Sequence, residues 1–171
     1  RDFRLAEAGR FRCRQEFSDQ TAHHFGRLNL LGGKDFYDLL TWQMQVVRRY
    51  QTPSFSLLGL RFVNLAGTLT RLGEHHGHAF IDSVADRLKE TVRDTDRCSR
   101  STEEYFWIML PHTDGDGLET VKQRLGRVAE LFSAPEVSDI SLRVVSITAP
   151  QDLLEQEDGE LLLARLASEL A

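Results

Sequence analysis

The chain has 171 residues, 41% apolar and 27% charged, a balance that supports one folded domain with a core and excludes a disordered or fibrous chain. No stretch approaches the ~18 apolar residues of a membrane span, and no signal peptide opens the chain. With 21 basic and 26 acidic residues the net charge is −5, which speaks against holding DNA or RNA by general phosphate neutralisation and leaves room for a local cationic pocket. Cys13 and Cys98 fit neither a zinc spacing nor a disulfide framework, so a reducing, cytoplasmic setting is expected.

Residues 1–28 read as a helical linker: Arg1, Arg4, Arg10, Arg12 and Arg14 intersperse with Phe3, Leu5, Phe11 and Phe17. The chain opens on Arg1 rather than methionine, so this segment is expected to continue from an upstream region; a frayed helix packing on the domain is the equal alternative. Residues 29–171 form the domain proper. Phe36, Leu39, Leu40, Met44 and Val47 repeat at helical spacing within Gly33 to Tyr50, and Gln51, Thr52 and Pro53 stop that helix. The apolar run Phe55 to Leu65 predicts a buried strand, and Ile81, Val84, Leu88 and Val92 predict a helix from Phe80 to Arg93. Arg97 to Ser101 and Phe106 to Leu110 flank a short polar stretch, the pattern of a β-hairpin. Asp114 is placed to cap a helix running to Phe132 with Leu118, Val121, Leu125, Val128 and Leu131 on one face. Ser141 to Thr148 reads as another strand, and a last helix starts at Leu153 or Glu160 and ends at Leu170. Helices alternating with strands around an internal hairpin point to an α+β sheet layered with helices.

The hairpin Arg100–Ser101–Thr102–Glu103–Glu104–Tyr105–Phe106, continued by Trp107–Ile108–Met109–Leu110–Pro111, resembles the R-x-G-G-[DE]-E-F segment of GGDEF domains, the diguanylate cyclases. In the same register Pro111–His112–Thr113 resembles P-x-T, Gly73 and Gly77 fall on the glycines of G-H-x-x-G-D, Ser146–Ile147 on S-I-G, and Leu162–Leu163–Ala164–Arg165 on L-L-x-R. The resemblance implies a nucleotidyl-cyclase-like fold with a central, mostly antiparallel sheet flanked by helices. It also implies a damaged active site. The metal-holding aspartate of that family falls on Arg61 and its acidic hairpin partner on Glu104; Mg²⁺ takes only hard oxygen donors, so a guanidinium at Arg61 removes half the site and is free to pair with Glu104 instead. The hairpin glycines become Thr102 and Glu103, where a Cβ and a negative charge oppose a triphosphate. Tyr105 stands in place of the motif's glutamate, the guanine-reading residues fall on Leu69 and His78, and a phosphate-side lysine falls on Ala66. Loss of catalysis is expected, with no metal and no cofactor.

A second constellation of the family is intact. An R-x-x-D inhibitory site binds the product, cyclic di-GMP, five residues before the hairpin motif; here Arg93–Asp94–Thr95–Asp96 has that spacing, and Arg124 falls where a second arginine is supplied. Guanidinium forks match the guanine O6/N7 edge or a phosphodiester, and a carboxylate accepts from the guanine N–H groups, so Arg93 and Arg124 are expected on the acceptor edge and phosphate and Asp96 on the donor edge. Arg97, Arg100 and Arg127 are secondary candidates at the rim. A bland origin for each signal competes: a helix-terminal arginine followed by a polar turn for Arg93–Asp96, and a solvated helix residue for Arg124. Glu74–His75–His76–Gly77–His78 carries metal-ligand residue types, but neighbours on one segment seldom converge; His23–His24 is a weaker signal, and Trp107 is expected in the core.

The expected function is therefore a cyclic di-GMP receptor of degenerate GGDEF type, which the resemblance links to control of exopolysaccharide export, motility or a joined signalling domain. It also implies two intercalated ligands bridging protomers or engaging an upstream regulatory domain of the same chain, without membrane contact from these residues but with tethering to the inner membrane elsewhere in a longer chain. The alternatives are a ligand-independent dimerisation scaffold of the same fold and, third, a cyclase with a rebuilt site.

Overall fold

The computed structural model describes residues 28, 30–102 and 104–171. The expected linker over 1–28 therefore lies, apart from Leu28, outside the described residues, as do Cys13, His23, His24 and Glu103. The elements run α1 (Gly33–Tyr50), β1 (Phe55–Val63), α2 (Leu65–Thr91), β2 (Arg97–Arg100), β3 (Tyr105–Leu110), α3 (Gly115–Glu130), β4 (Ser141–Ala149) and α4 (Gly159–Leu170), with two short 3₁₀ turns between α3 and β4. The strands form one sheet in the order β2-β3-β1-β4, every neighbouring pair antiparallel. This is the α+β arrangement expected from the sequence.

Both faces of the sheet are covered, which is why β1 and β3 read as nearly unbroken apolar runs rather than as alternating ones. Leu58, Leu60 and Phe62 of β1 and Phe106, Ile108 and Leu110 of β3 face one core with α2 and α3. Phe55 and Leu57 of β1 and Trp107 and Met109 of β3 face the other, with α1 and α4. Strand period two thus splits one sequence stretch between two cores. Trp107 is buried, as expected of a core residue, and its indole N–H donates to Ser101 Oγ at 3.2 Å.

The second helix departs from the sequence reading. It begins at Leu65, not Phe80, and takes in the last residue assigned to the strand, Leu65 itself. Gly73, at φ 80° and ψ 172°, kinks it, so the apolar repeat restarts out of phase after the kink and only the second half shows a clear stripe. The first half is held by Asp139 in the loop before β4: Thr68 Oγ1 donates to its carboxylate at 2.9 Å and Arg71 pairs with it at 2.8 Å. The start of α4 at Gly159 agrees with the later of the two expected boundaries; Asp158 caps it by accepting from Leu161 N at 2.9 Å.

Two close approaches define the α1/α4 face. A Cβ on Gly59 would stand 2.6 Å from Trp107 Cζ3 and 2.8 Å from Val145 Cγ1, so the indole occupies the space a side chain would need. In the loop leading to α4, Glu157 is buried and accepts from Arg165 Nε at 2.8 Å and Nη2 at 3.1 Å, and from Leu154 N at 3.2 Å. Burial pushes the Glu157 carboxyl up, but the Arg165 hydrogen bonds and charge and the Leu154 N–H outweigh it and hold the group below its ordinary value. A depressed pKa adds stability above the unfolded-state value, and that stability is lost as pH falls through the folded value. Two outcomes are expected from denaturant unfolding. Gly59→Ala loses about 1–3 kcal/mol through overpacking. Glu157→Gln is less stable than wild type at neutral pH, and the gap between them narrows below about pH 4.

Candidate functional site

The helix α2 ends at Thr91, its C-cap Val92 turns extended, and the chain then makes a tight turn into β2. Two reciprocal bonds lock that turn: Asp96 N donates to Arg93 O at 3.0 Å, and Arg93 N donates to Asp96 Oδ2 at 2.8 Å. The other carboxylate oxygen of Asp96 accepts from Arg93 Nη2 at 3.2 Å. The Asp96 side chain has 0% of its surface exposed, whereas that of Arg93 has 48%. Arg93 therefore emerges from a buried anchor with a wet face.

That face meets the turn between β3 and α3. Arg93 Nη2 also donates to Thr113 Oγ1 at 2.7 Å and to Pro111 O at 3.3 Å, and the Thr113 hydroxyl donates in turn to Pro111 O at 2.9 Å. Beneath it, Ser56 Oγ donates to Thr113 O at 2.9 Å, so the turn rests on β1. Asp114 caps α3 by accepting from Gly117 N at 3.0 Å, and a Cβ on Gly117 would stand 2.9 Å from Thr113 Cγ2. These approaches leave an open cavity of about 250 Å³ between the end of α2 and the first turns of α3. Arg93 stands on one side, His112, Thr113 and Asp114 at the turn, and Gly117, Thr120, Val121 and Arg124 along the helix.

The structure thus brings Arg93 and Arg124 to one cavity. Asp96 does not line it: its oxygens are taken by its own turn and by Arg93, because a carboxylate three residues after a free N–H finds its partner locally. Arg97 donates to the carbonyls of Asp94 and Asp96 at 2.9 and 3.0 Å and so braces the turn from behind. Arg100 lies 5.2 Å over the Phe106 ring, and neither it nor Arg127 lines the cavity. Sequence reasoning saw His112 and Thr113 only as a register mark and Asp114 only as a helix cap. Their meeting with Arg93 depends on a turn twenty residues away, for which Pro111–His112–Thr113 was the one available signal.

The second candidate region lies at the far end of β1. Arg61 Nε pairs with Glu104 Oε2 at 3.3 Å, with both side chains 23% exposed. Its Nη1 donates to Leu170 O at 3.1 Å, and its guanidinium sits 5.4 Å over the Tyr105 ring. Arg143, directly opposite on β4, donates to Leu170 O and Ala171 O, so two cations meet the carbonyl end of α4. Thr102 is exposed at the hairpin turn, and Glu103 lies outside the described residues. Leu69 is buried in the α2/α3 core, where its carbonyl would stand 3.3 Å from a Cβ on Gly77; His78 is half-buried on the same helix. The rings of His75 and His76 lie 5.5 Å apart, and among the described residues no group of three His, Cys, Asp or Glu converges as a metal site would require.

Below the Arg93 turn, Cys98 is buried in the core. Burial, then the nearby Asp96 charge, push its thiol up to about 12 despite Arg97. A thiol held protonated is a poor nucleophile. Under native conditions at pH 8, the Cys98 peptide is expected to stay unalkylated by iodoacetamide and to label fully after denaturation, as read by mass spectrometry.

A family model described as "Diguanylate cyclase, GGDEF domain" matches residues 30–165. No curated protein gives a significant match. Among solved structures, the chain is similar to the GGDEF domain of DgcB from Caulobacter crescentus in complex with c-di-GMP, with a TM-score of 0.65 and 17% identity over 84% of this chain and 85% of that one. The coiled coil and GGDEF domain of DgcB, also with c-di-GMP, gives a TM-score of 0.66 at 17% identity over 99% of this chain and 91% of that one. The active GGEEF domain of a diguanylate cyclase from Vibrio cholerae gives 0.58 at 15% identity over 81% and 85%. At such identities the likeness speaks to the fold.

Proposed function

The chain belongs to the GGDEF family, whose members are typically diguanylate cyclases, and from that premise we propose that it is a cyclic di-GMP receptor without cyclase activity. The observation that carries the reading is the pairing of Arg93 and Arg124 across one open cavity, with Arg93 already oriented by Asp96 and Thr113. A guanidinium held through Nη2 by Asp96, Pro111 and Thr113 meets a guanine O6/N7 edge or a phosphodiester with part of the cost of ordering its long side chain already met. The DgcB structures, which hold c-di-GMP on the same fold, are consistent with this reading.

In this reading Arg93 and Arg124 contact the ligand, and Asp96 acts first as the positioning residue of Arg93. A cavity of about 250 Å³ falls below the ~300–1,000 Å³ of most small-molecule sites, so it takes one end of a cyclic dinucleotide and leaves the rest to a second surface. That surface is supplied by a second copy or by an upstream region, and binding acts by favouring the packing that completes the site. Inactivity is supported by the Arg61–Glu104 pair. A cation bonded to the acidic hairpin residue stands where Mg²⁺ would need oxygen donors, and Leu69 offers guanine no hydrogen bond.

One observation favours a second reading, a ligand-independent scaffold: the Asp96 carboxylate is fully engaged inside the protein. Calorimetry separates the two. Wild-type protein is expected to bind cyclic di-GMP, and Arg93→Ala and Arg124→Ala each to weaken binding by about 1–3 kcal/mol, roughly five- to 150-fold. Absence of binding would favour the scaffold. Incubation with GTP and Mg²⁺ is expected to give no product, and steady turnover would overturn the reading of Arg61.

A further inference from the structure

We infer that His112 is a third ligand contact of the Arg93–Arg124 cavity, and that its protonation sets the affinity of the site for an anionic ligand. The inference rests on the reading of that cavity as a dinucleotide site and assigns it a residue outside the R-x-x-D constellation.

Three observations carry it. First, Arg93 Nη2 bonds to the residues on both sides of His112, Pro111 O and Thr113 Oγ1, so the imidazole stands on the turn that holds the guanidinium. Second, His112 sits at φ 49°, in the left-handed region that non-glycine residues seldom occupy, at an exposed turn that lines the cavity. Strained backbone of this kind persists where the surroundings fix it, and here Thr113 N, bonded to Ser54 O at 3.1 Å, and the Arg93 bonds do so. Third, the charged groups along the cavity wall are few: Arg93, Arg124 and Asp114. Arg93 is matched by Asp96 behind it, and Arg124 shares the cavity with Asp114. An imidazolium at His112 adds a further positive charge to that wall, facing any phosphodiester held by the two arginines.

The phosphodiester groups of a cyclic dinucleotide stay ionised across the pH range in which imidazole titrates, so the protonated form of His112 attracts them and affinity rises as pH falls. A cyclic di-GMP titration at pH 6 and pH 8 with the full chain tests this, using wild type, His112→Asn, which tolerates the left-handed backbone, and His112→Lys, which keeps a charge at both values. Wild type is expected to bind roughly five- to tenfold tighter at pH 6. His112→Asn is expected to bind weakly and equally at both values, and His112→Lys tightly at both. A wild-type affinity that does not change with pH, or a pH response retained by His112→Asn, overturns the role of His112 while the Arg93–Arg124 site stands. No wild-type binding at either pH overturns the site itself, and His112 with it.

Discussion

The buried carboxylate of Asp96 is the hinge on which the rest of the cavity turns. It satisfies the N–H of Arg93 at the end of α2, fixes the turn into β2, and leaves its second oxygen for the Arg93 guanidinium. A carboxylate with no exposed surface is costly unless its lone pairs are met, and here the backbone and a cation meet them. The result is directional. The same Nη2 that bonds Asp96 also reaches the turn after β3, so the turn leading into β2 and the turn leaving β3 are joined through one nitrogen.

At the opposite end of β1, the Arg61–Glu104 pair has a different character. Both groups are partly wet, so as an ion pair it contributes at most about 1 kcal/mol. Its effect is on what the site can hold. The same arginine stacks near Tyr105 and bonds to the last turn of α4, so the space between hairpin and helix end is occupied by a cation with three partners. Around it, Leu69 belongs to the hydrophobic core.

The two ends of β1 therefore carry two separate arginine-centred clusters on one scaffold. The scaffold is rigid where it matters because the sheet is sandwiched between two cores, with Trp107 filling the space over Gly59 on one side and Phe62 edge-on to Phe106 on the other. The cavity at the start of α3 stands on that packed frame.

Much of this was written locally. The apolar spacing of α1 and α3, the hairpin, the cap at Asp114 and the shared register of weak motifs are properties of short segments, and short-range geometry suffices to read them. The kink at Gly73 hid half of α2, because a phase change in a helix looks like an end to any fixed period. That Asp96 faces inward, that Arg97 braces its own turn, and that His112 joins Arg93 and Arg124 were decided only when the sheet closed. Each depends on which carbonyls and carboxylates come within about 3 Å across separations that sequence spacing does not encode.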